Sequence, residues 1–192
     1  MNTKYKSVLV LVLLIVGFLL LITSKESFAE NGNYGLQWAL DIADSVRDVS
    51  MPGAKLEEIL GSVDADGKIT ESEYTNEWTF YYFLQSGENY EGLGVTVYYD
   101  GSTFSWDPGG TICNFEVPSY KDAKSWVQKA DNAIGGITFT YRGIQVFADY
   151  DDIYENVENT VYVYYHTPDG ELVAYVLLDS DTEGVLLVEK NP

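Results

Sequence analysis

The sequence predicts an α+β fold made of two tandem repeats, each a helix followed by an antiparallel meander of about four strands, with the helices packed on one face of the sheet. Three observations predict it. Two stretches place apolar residues at helical spacing. Each is followed by segments rich in β-branched and aromatic residues, separated by turns containing Asp, Asn and Gly. The elements come in the same order in both halves, which divides the chain into a leader at 1–29, a first repeat at 30–110 and a second at 111–192.

The leader comes first. Lys4 and Lys6 precede an uninterrupted apolar run from Val8 to Ile22, and a short polar stretch ends at Ser27-Phe28-Ala29. This is the order of a secretory signal peptide, with small residues where signal peptidase needs them, so cleavage is expected after Ala29. The rival is a membrane anchor through residues 8–22. At about 1.5 Å per residue that run spans roughly 22 Å, short of a hydrocarbon core of about 30 Å. No cysteine ends the apolar run, which argues against a lipid anchor.

The first helix is expected over Leu36 to Val49, with Leu36, Ala39, Leu40, Ala43 and Val46 on one stripe. The second is expected over Tyr120 to Ile134, with Ala123, Trp126, Val127, Ala130 and Ile134 on one stripe and Ser119 or Asp122 as its cap. Each carries an early tryptophan, Trp38 or Trp126, and then an alanine–aspartate pair, Ala43-Asp44 or Ala130-Asp131. Strands are expected at Leu56–Val63, Glu77–Leu84, Leu93–Tyr99 and Thr103–Trp106, and again at Ile137–Ala148, Thr160–His166, Leu172–Leu178 and Val185–Val188. Turn signals at Asp64–Gly67, Ser86–Asn89, Asp100-Gly101, Thr167–Gly170 and Asp179–Gly184 separate them.

The first helix, the run Gly61-Ser62-Val63-Asp64-Ala65-Asp66-Gly67-Lys68, then Trp78-Thr79-Phe80-Tyr81-Tyr82 and Val95–Gly101 resemble PepSY-type domains and the two-repeat β-lactamase-inhibitor-like fold. Both are secreted, non-catalytic α/β modules. The resemblance implies a binding or inhibitory role and carries over no functional residue.

Composition narrows the function further. The chain has 11 basic and 30 acidic residues, a formal charge of −19. Without the leader 8 basic and 29 acidic residues remain, a charge of −21. Such a field repels nucleic acid and anionic headgroups. The abundant aromatic and β-branched residues support a packed core. Cys113 is the sole cysteine, so the fold holds without an internal disulfide. One histidine, His166, and one cysteine do not make a zinc site, and no glycine-rich phosphate loop opens a helix.

Two acidic motifs are candidate cation sites. Ser62-x-Asp64-x-Asp66-Gly67-x-Ile69-x-x-x-Glu73 matches an EF-hand loop, with Asp64, Asp66 and Glu73 as calcium ligands, although serine stands where a carboxylate is usual and the flanks read as strand. The serine and the strand-like flanks favour the other reading of the same residues, a hairpin turn. Asp149, Asp151, Asp152, Glu155 and Glu158 form a second cluster, read as a solvated loop, a cation site or a carboxylate pair for glycoside hydrolysis.

Alternation assigns the strand faces. Trp78, Phe80 and Tyr82, Val95 and Val97, and Val161, Val163 and Tyr165 should pack under the helices. The other face then carries Tyr81, Tyr98, Tyr162 and Tyr164. It reads either as an aromatic ladder that stabilises the sheet or as a binding face, since tyrosine offers broad contact with little entropy to lose. The function expected is a non-enzymatic extracytoplasmic binding module for an extracellular protein or polysaccharide. The alternatives are a secreted hydrolase using an Asp/Glu pair and a calcium-binding cell-surface protein. N-terminal sequencing of the exported protein should start at Glu30; an intact Met1 refutes cleavage.

Overall fold

A computed structural model describes residues 34–86, 89–109, 123–147 and 160–190. The leader, Cys113, the cap candidates Ser119 and Asp122, and the acidic cluster at 149–158 lie outside them. Residues from Tyr34 onward form one compact unit. Among the described residues no helix is long and apolar enough to cross a membrane.

The fold is α+β; the described residues form two helices and one antiparallel sheet of eight strands. In chain order these are α1 (Leu36–Ser50), β1 (Lys55–Val63), β2 (Glu77–Ser86), β3 (Asn89–Tyr98), β4 (Thr103–Trp106), α2 (Ala123–Ile134), β5 (Tyr141–Phe147), β6 (Thr160–His166), β7 (Leu172–Asp179) and β8 (Val185–Lys190). Most expected boundaries hold within two residues. Strand β3 starts four residues early because its pairing with β2 runs unbroken from Glu77↔Tyr98 to Ser86↔Asn89. Strand β5 starts four residues late. Gly135 and Gly136 end the helix, Ile137 bonds back to Gly135, and Phe139 turns inward to meet Tyr165 edge-on.

The strand order is β4-β3-β2-β1-β5-β6-β7-β8. Two local meanders therefore meet at β1 and β5, which pair from Glu58↔Phe147 to Val63↔Arg142. Residues opposite one another across a ladder share a face. One face carries Ile59, Trp78, Phe80, Tyr82, Val95, Val97, Ile144, Val146, Val161, Val163 and Tyr165, all buried as their alternation predicts. They belong to a single apolar cluster with Leu36, Ala39, Leu40 and Ala43 of α1 and Ala123, Trp126, Val127, Ala130 and Ile134 of α2. Both helices thus bury the stripes their periodicity marks.

Each helix is also tied to the sheet by a polar contact. Tyr82 donates its hydroxyl to Asp44 (2.9 Å), and Tyr165 donates to Asp131 (3.0 Å). Arg47 pairs with Asp44 at 3.0 Å, and Arg142 grips Asp131 with two bonds of 2.8 and 2.6 Å. In both cases a helix aspartate meets a strand tyrosine, and an arginine holds the aspartate. A buried phenol needs an acceptor, and a carboxylate already held by arginine is a strong one. Burial and the charge of Asp131 push the Tyr165 phenol up, which keeps it a donor.

The turn at Asp64–Gly67 docks on the start of α2. Gly67 has φ +69°, and a Cβ there would lie 2.4 Å from the Lys124 amide, so only glycine fits. Gly61 is glycine for a different reason. Trp78 lies flat on it, and a Cβ would come within 2.2 Å of the indole. Gly143, on the neighbouring strand and the opposite face, has its nearest atom at 3.8 Å. Gly61→Ala should therefore cost about 1–3 kcal/mol by displacing Trp78. Gly143→Ala should be neutral or stabilise by up to about 1 kcal/mol. Urea denaturation compares them; equal losses would contradict this placement of Trp78.

Candidate functional site

The sheet face opposite Trp78, Phe80 and Tyr82 is shaped by a bulge in β1. The register jumps between Leu56↔Tyr82 and Glu58↔Tyr81, leaving Glu57 as the extra residue. Strict alternation would put Leu56 and Glu58 on one face. The bulge lets Leu56 join the core while Glu58 turns to the other face beside Tyr81.

Small residues cluster at the middle of that face. Ser62, Thr79, Thr96, Gly94 and Gly143 lie on β1, β2, β3 and β5, and Leu60 and Gln145 pair beside them across the seam. Large rings stand on either side. Trp106 lies on Gly94, where a Cβ would be 2.6 Å from the indole; it meets Tyr81 edge-on and stacks beside Phe104. Across the seam the rings run Tyr74, Tyr141, His166, Tyr164, Tyr162, Tyr175, each in contact with the next. The result is a groove of about 430 Å³, open to solvent and lined by Leu60, Ser62, Glu77, Thr79, Tyr81, Thr96, Trp106, Gly143, Gln145 and Tyr164 among others.

A chain of hydrogen bonds stiffens one wall. Glu58, as a carboxylate, only accepts, so the Gln145 amide turns its NH₂ to it (2.5 Å). That leaves the Gln145 carbonyl facing Tyr164, whose hydroxyl must donate (2.9 Å). Tyr164 therefore faces outward with lone pairs alone. On the floor, the Thr79 and Thr96 hydroxyls bond to each other at 3.0 Å. Burial and then the charges of Glu58 and Glu77 hold the Tyr81 phenol above its usual range.

Of the four tyrosines expected on this face, Tyr81 and Tyr164 line the groove from opposite walls. Tyr162 stacks on Tyr164 (5.7 Å) and is part of the ladder; Tyr98, opposite Glu77, lies on the same face outside the groove. Ladder and binding wall are thus the same tyrosines in part. Trp106, Gln145 and Glu58 are site residues that the tyrosine pattern did not reveal. The readable signal was glycine alone inside two strands, Gly94 and Gly143, which marks close approach or open space.

The calcium candidates are not brought together. Asp64 accepts the amides of Asp66 (2.8 Å) and Lys68 (3.0 Å) within its own turn. Asp66 pairs with Lys124 at 2.7 Å, and that hydrogen bond and charge hold its carboxyl below the usual range. Glu73 sits in a separate turn closed by the Thr70 and Thr75 hydroxyls (2.7 Å). Among the described residues no group of three or more His, Cys, Asp or Glu is placed to hold a metal. His166, at the end of β6, stacks on Tyr141 and sits 3.3 Å from the Gly170 carbonyl.

No family model matches this chain, and no curated protein or solved structure matches it.

The Tyr164 phenol is pushed up to about 12, chiefly by burial, then by Tyr162, Glu58 and Tyr175. Its reference value is 10.0. A raised pKa means the fold holds the proton more tightly than the unfolded chain does. That contribution is complete below about pH 10 and is lost as pH climbs toward 12. Tyr164→Phe should make the fall in stability over this window shallower and remove a late step from the phenolate absorbance titration. An unchanged slope would place Tyr164 in water.

Proposed function

We propose that this chain is an exported, non-catalytic binding module whose groove receives an extracellular protein. The observation that carries this reading is the groove itself: small residues on the floor, and rigid aromatic walls held by packing and by the Gln145 chain. Tyrosine and tryptophan anchors beside a concavity are what protein interfaces use as hot spots. The chemistry favours binding over hydrolysis. A glycosidase needs two carboxyl groups converging on one bond. Glu77 is the only carboxylate among the lining residues, and Glu58 is committed to Gln145.

In the same reading the chain is a tandem duplication with both helices on one face of the sheet. The equivalent contacts of Tyr82 with Asp44 and of Tyr165 with Asp131 support it. So does a strand order that runs outward from β1 in one half and from β5 in the other. This is the architecture implied by the resemblance to PepSY-type and two-repeat inhibitor-like modules, and the leader at 1–29 would deliver it outside the cytoplasm.

The test compares two folded double variants, checked by circular dichroism. Tyr81→Ser with Tyr164→Ser removes both groove walls. Tyr98→Ser with Tyr162→Ser changes the same face outside the groove. The first should lose the extracellular partners that the parent protein recovers by affinity capture, at about 2 kcal/mol or more per wall residue; the second should keep them. If the first keeps every partner, the groove is not the binding surface.

A further inference from the structure

We propose that the groove is specific for arginine side chains presented by an extended basic peptide. The inference rests on reading the groove as a binding surface and names what that surface selects. Four features point to a cation. Glu77 supplies a carboxylate on the lining. Among the described residues no lysine or arginine lines the groove. Arg47, Arg142 and Lys124 are engaged elsewhere, with Asp44 and Asp48, with Asp131, and with Asp66. Trp106 has one face against Gly94 and turns the other away from the sheet, which suits a guanidinium stacked on indole.

The fourth feature is the direction of the hydrogen-bond chain. With Gln145 held by Glu58, Tyr164 spends its proton on Gln145 and offers the groove lone pairs. Arginine has five donors and no acceptor, so it matches a wall of acceptors and ring faces. A neutral sugar gains nothing from a carboxylate field. The chain's formal charge of −19 draws basic segments toward the surface, while the groove selects among them.

The size of the groove suggests the length of the segment. Its lining comes from six neighbouring strands, β4 to β6 in sheet order. At about 4.8 Å between strands the groove crosses roughly 24 Å, which about seven extended residues would span.

The probe is a blocked heptapeptide alternating glycine and arginine, titrated into the purified protein at physiological salt and followed by calorimetry and tryptophan fluorescence. The control peptide carries citrulline, which keeps the shape of arginine and removes its charge. Saturable binding of the arginine peptide is expected, with the citrulline peptide weaker by roughly tenfold or more. Glu77→Gln should weaken the arginine peptide by a similar factor. Gly143→Val, which puts a side chain on the groove floor, should abolish binding. Glu171→Gln, an exposed change of equal charge in the β6–β7 turn, should leave it unchanged.

Three results would overturn the proposal. If both peptides bind alike and Gly143→Val abolishes both, the groove is a binding surface that does not select charge. If the arginine peptide binds but ignores Glu77→Gln and Gly143→Val, the attraction belongs to the whole acidic surface. If neither peptide binds, arginine is not the ligand, and titration with an N-acetylglucosamine hexamer asks whether the groove takes a sugar instead. The partner capture with the Tyr81 and Tyr164 variant separates each of these from failure of the binding reading itself.

Discussion

The antiparallel seam between β1 and β5 is the constraint on which the rest of the molecule depends. Every other neighbouring pair in the sheet joins strands adjacent in sequence, so each meander forms from local contacts. The seam alone joins distant segments, from Glu58↔Phe147 to Val63↔Arg142. Such a pairing must offset a large loop-closure entropy before it yields anything. What it yields is continuity. It removes two sheet edges, places Ile59 beside Val146 in one core, and brings both helices' buried stripes into the same cluster. It also brings Ser62 opposite Gly143, and so creates the groove floor.

An acidic chain has little positive charge to spend, and its placement is informative. Arg47 and Arg142 are both used where a helix carboxylate meets a strand tyrosine. Lys124 is used where the Asp64–Gly67 turn meets α2. The two arginine pairs are partly buried and the Lys124 pair is exposed, so they specify position more than they add stability. The core of valines, Trp78, Trp126 and Phe80 supplies the stabilisation, and the charged ties fix which part of each helix lies over which strand.

The fold was largely legible because two periodicities carried it. Period 3.6 marked the helix stripes, and period 2 sorted Trp78, Phe80 and Tyr82 from Thr79 and Tyr81. Both patterns reflect burial, so burial could be read back from them. The site was legible in part. Tyr81 and Tyr164 followed from alternation, but Glu58 did not, because a bulge resets the phase and leaves no mark in composition. Trp106 was hidden for a different reason. Its role depends on Gly94 across the ladder, a relation that exists only once β3 and β4 are in register. The EF-hand spacing of Asp64, Asp66 and Glu73 says nothing about competing partners. Asp64 accepts the amides of Asp66 and Lys68, and Asp66 pairs with Lys124.

Three of the strand glycines show how one residue type serves opposite ends. Gly61 gives up its side-chain volume to the core, so that Trp78 can lie flat at the seam. Gly94 gives it up on the other face, so that Trp106 can do the same. Gly143 gives it up to nothing in the fold, since the nearest atom to its missing Cβ is 3.8 Å away. Glycine in a strand interior costs stability relative to residues that fill the space. The first two glycines are explained by the ring that covers each. The third lies in the groove floor between the Tyr81 and Tyr164 walls, where the space a side chain would take is left open. A vacancy that the fold does not need, on a floor between two aromatic walls, supports the proposal that the groove is a binding surface.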